Sequence, residues 1–316
     1  MHSHFRSRAS HARALFRKTL WPTALAAALG VCALASAAPS RLPAINQPAG
    51  SEHHTGKVVL VELVTPDFDA SKHFYSSLFG WTFRDAQAGK LQYAEAMLDG
   101  RVVGGLIHKD LPPGDQHKPA WLTFISVHDV DAAKAAAVGK GAKVLFEPHS
   151  LPGRGKEAVF ADPQGAVFAV IDSSSGDPPD ELASPGEWIW SSLITSDVDA
   201  SAAFYQTLFN YDVFPVDDDG DGDSDHAVFA SDNYARASAN STPEKQGARH
   251  SHWINFVRVD NVDATVANVN QLGGRIVVEP RDDRQGGRIA VAVDPQGAHF
   301  GLMEWSDEGK SKEVTP

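Results

Sequence analysis

Asp162-Pro163-Gln164-Gly165-Ala166-Val167-Phe168-Ala169-Val170 returns 132 residues later as Asp294-Pro295-Gln296-Gly297-Ala298-His299-Phe300-Gly301-Leu302. Asp, Pro and then Gly at the fourth position suit a type I β-turn. Pro presets the backbone at the second position and Gly relieves the last. Apolar runs on both sides make each turn the tip of a hairpin whose second strand is buried.

Reading outward from the first turn gives a repeated unit. Lys57 to Thr65 is rich in Val and Leu and predicts a strand. Asp67 or Asp69 is placed to cap a helix in which Ala70, Phe74 and Leu78 recur at helical spacing, and Gly80 suits its left-handed end. Three shorter strands fit near Trp81–Arg84, Gln92–Met97 and Val102–His108, so the unit is β-α-β-β-β. It restarts at Trp121–Val127. Asp129 or Asp131 there caps an alanine-rich helix, and strands near Lys143–Phe146, Glu157–Ala161 and Ala166–Ile171 complete it. Two units make one domain over residues 57–173. Residues 174–186, rich in Ser, Pro and Gly, read as a linker.

Beyond the linker the domain repeats over residues 187–306, leaving 307–316 as a tail. Phe74-Tyr75-Ser76-Ser77-Leu78-Phe79-Gly80-Trp81 becomes Phe204-Tyr205-Gln206-Thr207-Leu208-Phe209-Asn210-Tyr211, a shift of 130 residues. So long a period marks domain duplication rather than a solenoid. Asn210, which also tolerates the left-handed cap, replaces Gly80.

The N-terminus reads differently. Five basic residues (Arg6, Arg8, Arg13, Arg17, Lys18), an apolar run from Ala24 to Leu34 and the small-residue site Ala35-Ser36-Ala37 form a signal peptide over residues 1–37. A retained anchor is the alternative. The expected address is periplasmic or secreted. Residues 38–56, with Pro39, Pro43, Pro48 and Gly50, read as a flexible lead in which His53 and His54 are solvated. Without residues 1–37, 23 basic residues face 40 acidic ones, a net charge of −17. Such a surface disfavours nucleic acid and anionic membrane as partners. The single cysteine, Cys32, leaves with the signal peptide, so the mature fold rests on its core without a disulfide.

The Asp-x-x-x-Ala/Ser-x-x-Phe-Tyr-x-x-Leu-Phe-Gly-Trp pattern after a strand, with Asp-Pro-Gln-Gly before the last strand, resembles the vicinal oxygen chelate superfamily of glyoxalases, bleomycin-resistance proteins and extradiol dioxygenases. The likeness spans nearly all of residues 57–306 and is greatest to tandem, glyoxalase-like members. It implies an α+β fold in which paired β-α-β-β-β modules curl into a cup, with helices outside. In metal-dependent members a His or Gln stands on the first strand of a module and a Glu on the last. Carried over by position, those places are Leu60, Leu122, Trp190 and Ile254, and Ala169 and Gly301. None offers a donor suited to a divalent cation, so no metal or other cofactor is expected. Metal-dependent glyoxalase or dioxygenase chemistry is not expected either.

Alternation along the strands places Leu60, Glu62, Val64, Leu122, Phe124, Ser126, Val167, Ala169 and Ile171 in the first cup. Trp188, Trp190, Ser192, Ile254, Phe256, His299, Gly301 and Met303 fall in the second. Apolar, aromatic walls with a few polar groups suit a small organic ligand, and filled cores are the plainer alternative. Glu62, a carboxylate among apolar neighbours, is the candidate general base for a metal-independent lyase or isomerase. A nearby cation or water at the strand end would give it an ordinary role instead. His250, His252 and His299 share the second cup's parity and leave a relocated metal site open. Asp217–Asp225 imitates a calcium loop but has Val228 at the twelfth position. The expected function is therefore an exported binder of a small apolar or aromatic molecule. The enzyme using Glu62 and a structural or interaction protein with filled cups are the competing readings.

Overall fold

The computed structural model describes residues 41–88, 91–110, 119–216, 225–242, 251–283 and 287–305. The first half runs β1 (Val58–Thr65), α1 (Phe68–Phe79), β2 (Thr82–Ala88), β3 (Leu91–Leu98) and β4 (Arg101–His108). Its second module is β5 (Ala120–Ser126), α2 (Val130–Gly139), β6 (Lys143–Leu151), β7 (Gly155–Ala161) and β8 (Val167–Ser173). The other half repeats this with β9 (Trp188–Thr195), α3 (Val198–Phe209), β10 (Asp212–Val216), β11 (His226–Ser231) and β12 (Tyr234–Ser241). It ends with β13 (His252–Arg258), α4 (Val262–Gln271), β14 (Arg275–Asp282), β15 (Arg288–Val293) and β16 (His299–Met303).

Each half is one eight-stranded mixed sheet, ordered β2-β3-β4-β1-β5-β8-β7-β6 and β10-β11-β12-β9-β13-β16-β15-β14. The two modules of a half meet where their first strands pair antiparallel, β1 with β5 and β9 with β13. This is the α+β tandem architecture that the sequence repeat implies.

Local chemistry fixes the elements. Asp67 caps α1 by accepting the Ala70 N–H at 3.0 Å, and Asp129, rather than Asp131, caps α2. Such a cap stabilises a helix by about 1 kcal/mol. Gly80 and Asn210 end α1 and α3 in the left-handed conformation, at φ 74° and 54°. In the first turn the Gly165 N–H donates to the Asp162 carbonyl at 3.0 Å, and Gly165 sits at φ 99°.

The two sheets pack back to back through their helix-bearing faces. One apolar cluster joins Val130 and Phe168 of the first half to Phe204, Tyr205 and Trp253 of the second. Another joins Phe74, Trp81 and Trp121 to Val262 and Phe300. Near the centre Asn255 Nδ2 donates to Thr123 Oγ1 at 3.0 Å; these are equivalent positions of the repeat. The motif residues also cross between halves. Tyr75 Oη donates to Asp294 Oδ2 and Tyr205 Oη to Asp162 Oδ2, each at 3.0 Å. Trp121 and Trp253 donate to those tyrosine oxygens in turn. Burial pushes the carboxyl groups of Asp162 and Asp294 up and the tyrosine hydroxyls well above their ordinary range.

Two expectations are corrected. Residues 41–56 are not a loose lead. Leu42 and Ile45 are buried, the Asn46 N–H donates to Ser175 Oγ at 3.0 Å, and the His54 N–H donates to Asp177 Oδ2 at 2.7 Å. His53 and His54 are correspondingly part-buried rather than fully solvated. Trp188 does not face the second cup. A register shift between Phe256 and Val257 turns it to the other face, where its ring meets Trp121 at 4.9 Å.

Candidate functional site

Each sheet gathers an apolar cluster on the face away from its helices, and the two clusters differ in what accompanies them. In the first, Leu60, Val64, Leu122, Phe124, Ala169 and Ile171 form one buried cluster with Tyr93, Phe146 and Val159. Ser126 lies buried beside them on the same strand, its hydroxyl without a protein partner. Arg154, from the turn between β6 and β7, is only 1% exposed and reaches the cup's floor. Its Nη1 donates to Glu62 Oε1 at 2.8 Å and its Nη2 to Tyr93 Oη at 2.9 Å. Tyr93 Oη donates to the same carboxylate oxygen at 2.9 Å. Gly105 makes room for this group. A side chain there would begin 2.4 Å from Tyr93 Oη and 2.9 Å from Glu62 Oε1.

Glu62 is therefore a paired carboxylate in a closed space, the ordinary role left open by its sequence context. The residue is 1% exposed. Glu157 faces the same group with Oε2 unpartnered. Burial pushes its carboxyl up to about 8, against the pull of Arg154 and with the help of Glu62. Burial works against the charge on Arg154, yet Tyr93 and Glu62 hold that group above its ordinary value.

Strand register shows how the second cup departs. Glu62 opposite Gly105 becomes Ser192 opposite Ser238, and Tyr93 opposite Ile107 becomes His226 opposite Asn240. Glu157 becomes Ile289. Among the described residues, hydroxyl, amide and imidazole groups thereby take the place of the two carboxylates. Ser192 and Ser238 hydroxyls lie 2.8 Å apart, Trp190 Nε1 donates to Ser238 Oγ at 3.1 Å, and Asn240 Nδ2 donates to it at 3.2 Å. His226 Nδ1 lies 2.9 Å from Asn240 Oδ1. Apolar walls come from Trp190, Ile254, Phe256, Ile289 and Met303, with Trp305 beyond the last strand. Trp190, His226, Asn240, Ile289 and His299 remain partly exposed, whereas in the first cup the wall residues are buried except Val167, which is partly exposed at the cluster's edge. His226, Ser238, Asn240 and Arg154 were missed from sequence because they lie on strands and turns that carry no motif.

The family's metal positions do not fit a cation. Leu60, Leu122, Trp190 and Ile254 present no donor. Ala169 is packed in the first cup, and any side chain at Gly301 would begin 2.1 Å from the Phe256 ring. Among the described residues no group of three or more His, Cys, Asp or Glu is arranged to hold a metal. His252 and His299 come together, with ring centroids 6.2 Å apart, while His250 lies outside the described residues. Of the acidic stretch, Asp217–Ser224 lies outside them too. A recess of about 430 Å³ lined by Leu151, Lys156 and Asp172 opens at the β6–β7 turn.

Comparison with known proteins matches residues 53–170 and 189–302 to the family described as Glyoxalase/Bleomycin resistance protein/Dioxygenase superfamily. The chain is 31% identical over 268 residues to the putative glyoxylase CFP32 of Mycobacterium tuberculosis, covering 81% of this chain and 98% of that protein. It is 33% identical over 257 residues to the anthracycline biosynthesis protein DnrV of Streptomyces peucetius, covering 77% and 91%. Among solved structures, the Mn(II)-bound glyoxalase from Novosphingobium aromaticivorans aligns with a TM-score of 0.55 at 18% identity, over 80% of this chain and 83% of that one. The 2,3-dioxygenase LapB from Pseudomonas sp. KL28 aligns at 0.56 and 12% identity, over 81% and 94%. At these identities the solved structures share the fold.

Proposed function

The chain belongs to the glyoxalase/bleomycin resistance protein/dioxygenase superfamily, and from that premise we propose that it binds a small, neutral, largely aromatic molecule in its second cup. The observation that carries this reading is the contrast between the cups. The first is filled by its own ion pair. Among its described residues the second keeps aromatic walls and a strip of hydroxyl, amide and imidazole groups partly open to solvent. Apolar walls with a few convergent polar groups suit a planar molecule bearing hydroxyl or carbonyl oxygens. The name of the DnrV relative, which concerns anthracyclines, is in keeping with such a ligand.

The reading is of a binder that works without the family's metal. Ser238 already gathers contacts from Trp190, Ser192 and Asn240, so a ligand oxygen would join a strip held in place before binding. The basic and apolar leader of residues 1–37 supports export, with the mature chain starting at Ala38.

A thermal-shift screen with uncharged hydroxylated aromatics tests the proposal, since a ligand bound by the native state alone raises the melting temperature. The expected result is a rise that Trp190→Ala removes and Ser238→Val weakens. No shift across the panel, or one indifferent to both substitutions, would sink it. Elemental analysis of the purified protein is expected to find no stoichiometric zinc, manganese, nickel or iron.

A further inference from the structure

We propose that the first cup is a binding site already taken, and that its ligand is the chain's own segment 41–46. Leu42 and Ile45 are 3% and 8% exposed, and both belong to the apolar cluster that contains the cup residues Leu60 and Phe124. Between them the Pro43 carbonyl accepts a hydrogen bond from Arg154 Nε at 2.9 Å. That is the guanidinium nitrogen left over once Nη1 and Nη2 have turned to Glu62 and Tyr93.

The segment is then tied down as it leaves the cup. Asn46 donates through its N–H to Ser175 Oγ at 3.0 Å and through Nδ2 to the Asp177 carbonyl at 3.1 Å. The Gly50 N–H donates to the Ser175 carbonyl at 2.8 Å. Two aliphatic side chains flanking a carbonyl that meets an arginine are the contacts of a ligand, supplied here in cis. Among the described residues, the apolar cluster of the second cup takes in one residue from outside the sheet, Trp305 just past the last strand, and it is only partly buried.

The chemistry that recognises the segment defines what else the cup would take: an extended aliphatic peptide, or another aliphatic compound with one carbonyl oxygen. Such a molecule must compete with a tethered occupant. Its apparent affinity is therefore reduced by the small fraction of time the segment is away.

The test uses the full chain carrying Leu42→Ser and Ile45→Ser, with a fluorescent peptide copying residues 40–49. The altered chain is expected to bind the peptide at least about tenfold more tightly than the unaltered chain, the gain expected when an intramolecular competitor is loosened. Trp190→Ala in the altered chain is expected to leave that binding unchanged. Equal binding to both chains, no binding to a folded altered chain, or loss of binding with Trp190→Ala would each overturn the proposal. Amide exchange in the unaltered chain tests it even if the altered chain does not fold. The Asn46 and Gly50 N–H groups are expected to exchange as slowly as neighbouring sheet amides, and exchange at open-coil rates would overturn it.

Discussion

Glu157 is a buried acid whose proton the fold retains. Its carboxyl is pushed from 4.5 up to about 8, first by burial. Below pH 4.5 it is protonated whether the chain is folded or unfolded. As the pH rises from there to about 8 the unfolded chain releases the proton and the folded chain keeps it, so stability falls across that window. The loss is on the order of 3–5 kcal/mol when complete. Glu157→Gln is expected to flatten the decline, raising the urea midpoint at pH 8 more than at pH 5; an equal change at both would contradict this assignment. Arg154→Met should act in the opposite sense. It leaves Glu62 buried beside Tyr93 without its cation, a loss of about 3–5 kcal/mol by comparison with other broken buried pairs. Adding Glu62→Gln should recover part of it, and a strictly additive double variant would show that the two side chains are not coupled. None of this was legible from Glu62 alone. Its partner lies 92 residues away on a hairpin turn, and no local pattern announces a side chain that folds back into the cup.

At the scale of elements, the sequence was most informative where the cause is local. The helix caps, the left-handed ends and the two Asp-Pro-Gln-Gly turns follow from neighbouring residues, and they fall where those residues place them. The docking of the lead is hidden from the sequence for a related reason. Its prolines and glycine suggested looseness, while Leu42 and Ile45, three residues apart, gave too short a signal to betray a docked face. Trp188 departs from strict alternation because a bulge interrupts its strand pairing. The Phe-Tyr and Asp-Pro-Gln-Gly motifs looked like separate local devices, yet Tyr75 meets Asp294 and Tyr205 meets Asp162 across the halves. Tyr75→Phe should therefore leave Asp294 Oδ2 and Trp121 Nε1 short of a partner and cost about 1–3 kcal/mol. Tyr205→Phe should cost a similar amount, read as matching shifts in denaturant midpoint. A negligible shift for either would mean that water replaces the hydroxyl without loss.

At the scale of the molecule, the apolar clusters that fix the helices draw residues from both halves. Calorimetry is expected to show one cooperative transition, and the tyrosine variants should move it as a whole. Two resolved transitions would mean that each half holds itself together. The duplicated sequence foretold two similar cups, because motif and turn recur in both. It could not foretell their divergence, which lies in substitutions away from the motifs: Glu62 to Ser192, Tyr93 to His226 and Glu157 to Ile289. One cup is closed by buried side chains, while several residues of the other stay partly exposed.

Tyr75 lies on the first helix, and its acceptor, Asp294, comes 219 residues later, just before the last strand. A chain emerging residue by residue from the ribosome presents that tyrosine long before its carboxylate exists. The same delay applies to the apolar face around Phe74, which waits for Phe300. Contacts so distant in sequence close slowly, and the first half stays incomplete until nearly all of the chain has been made.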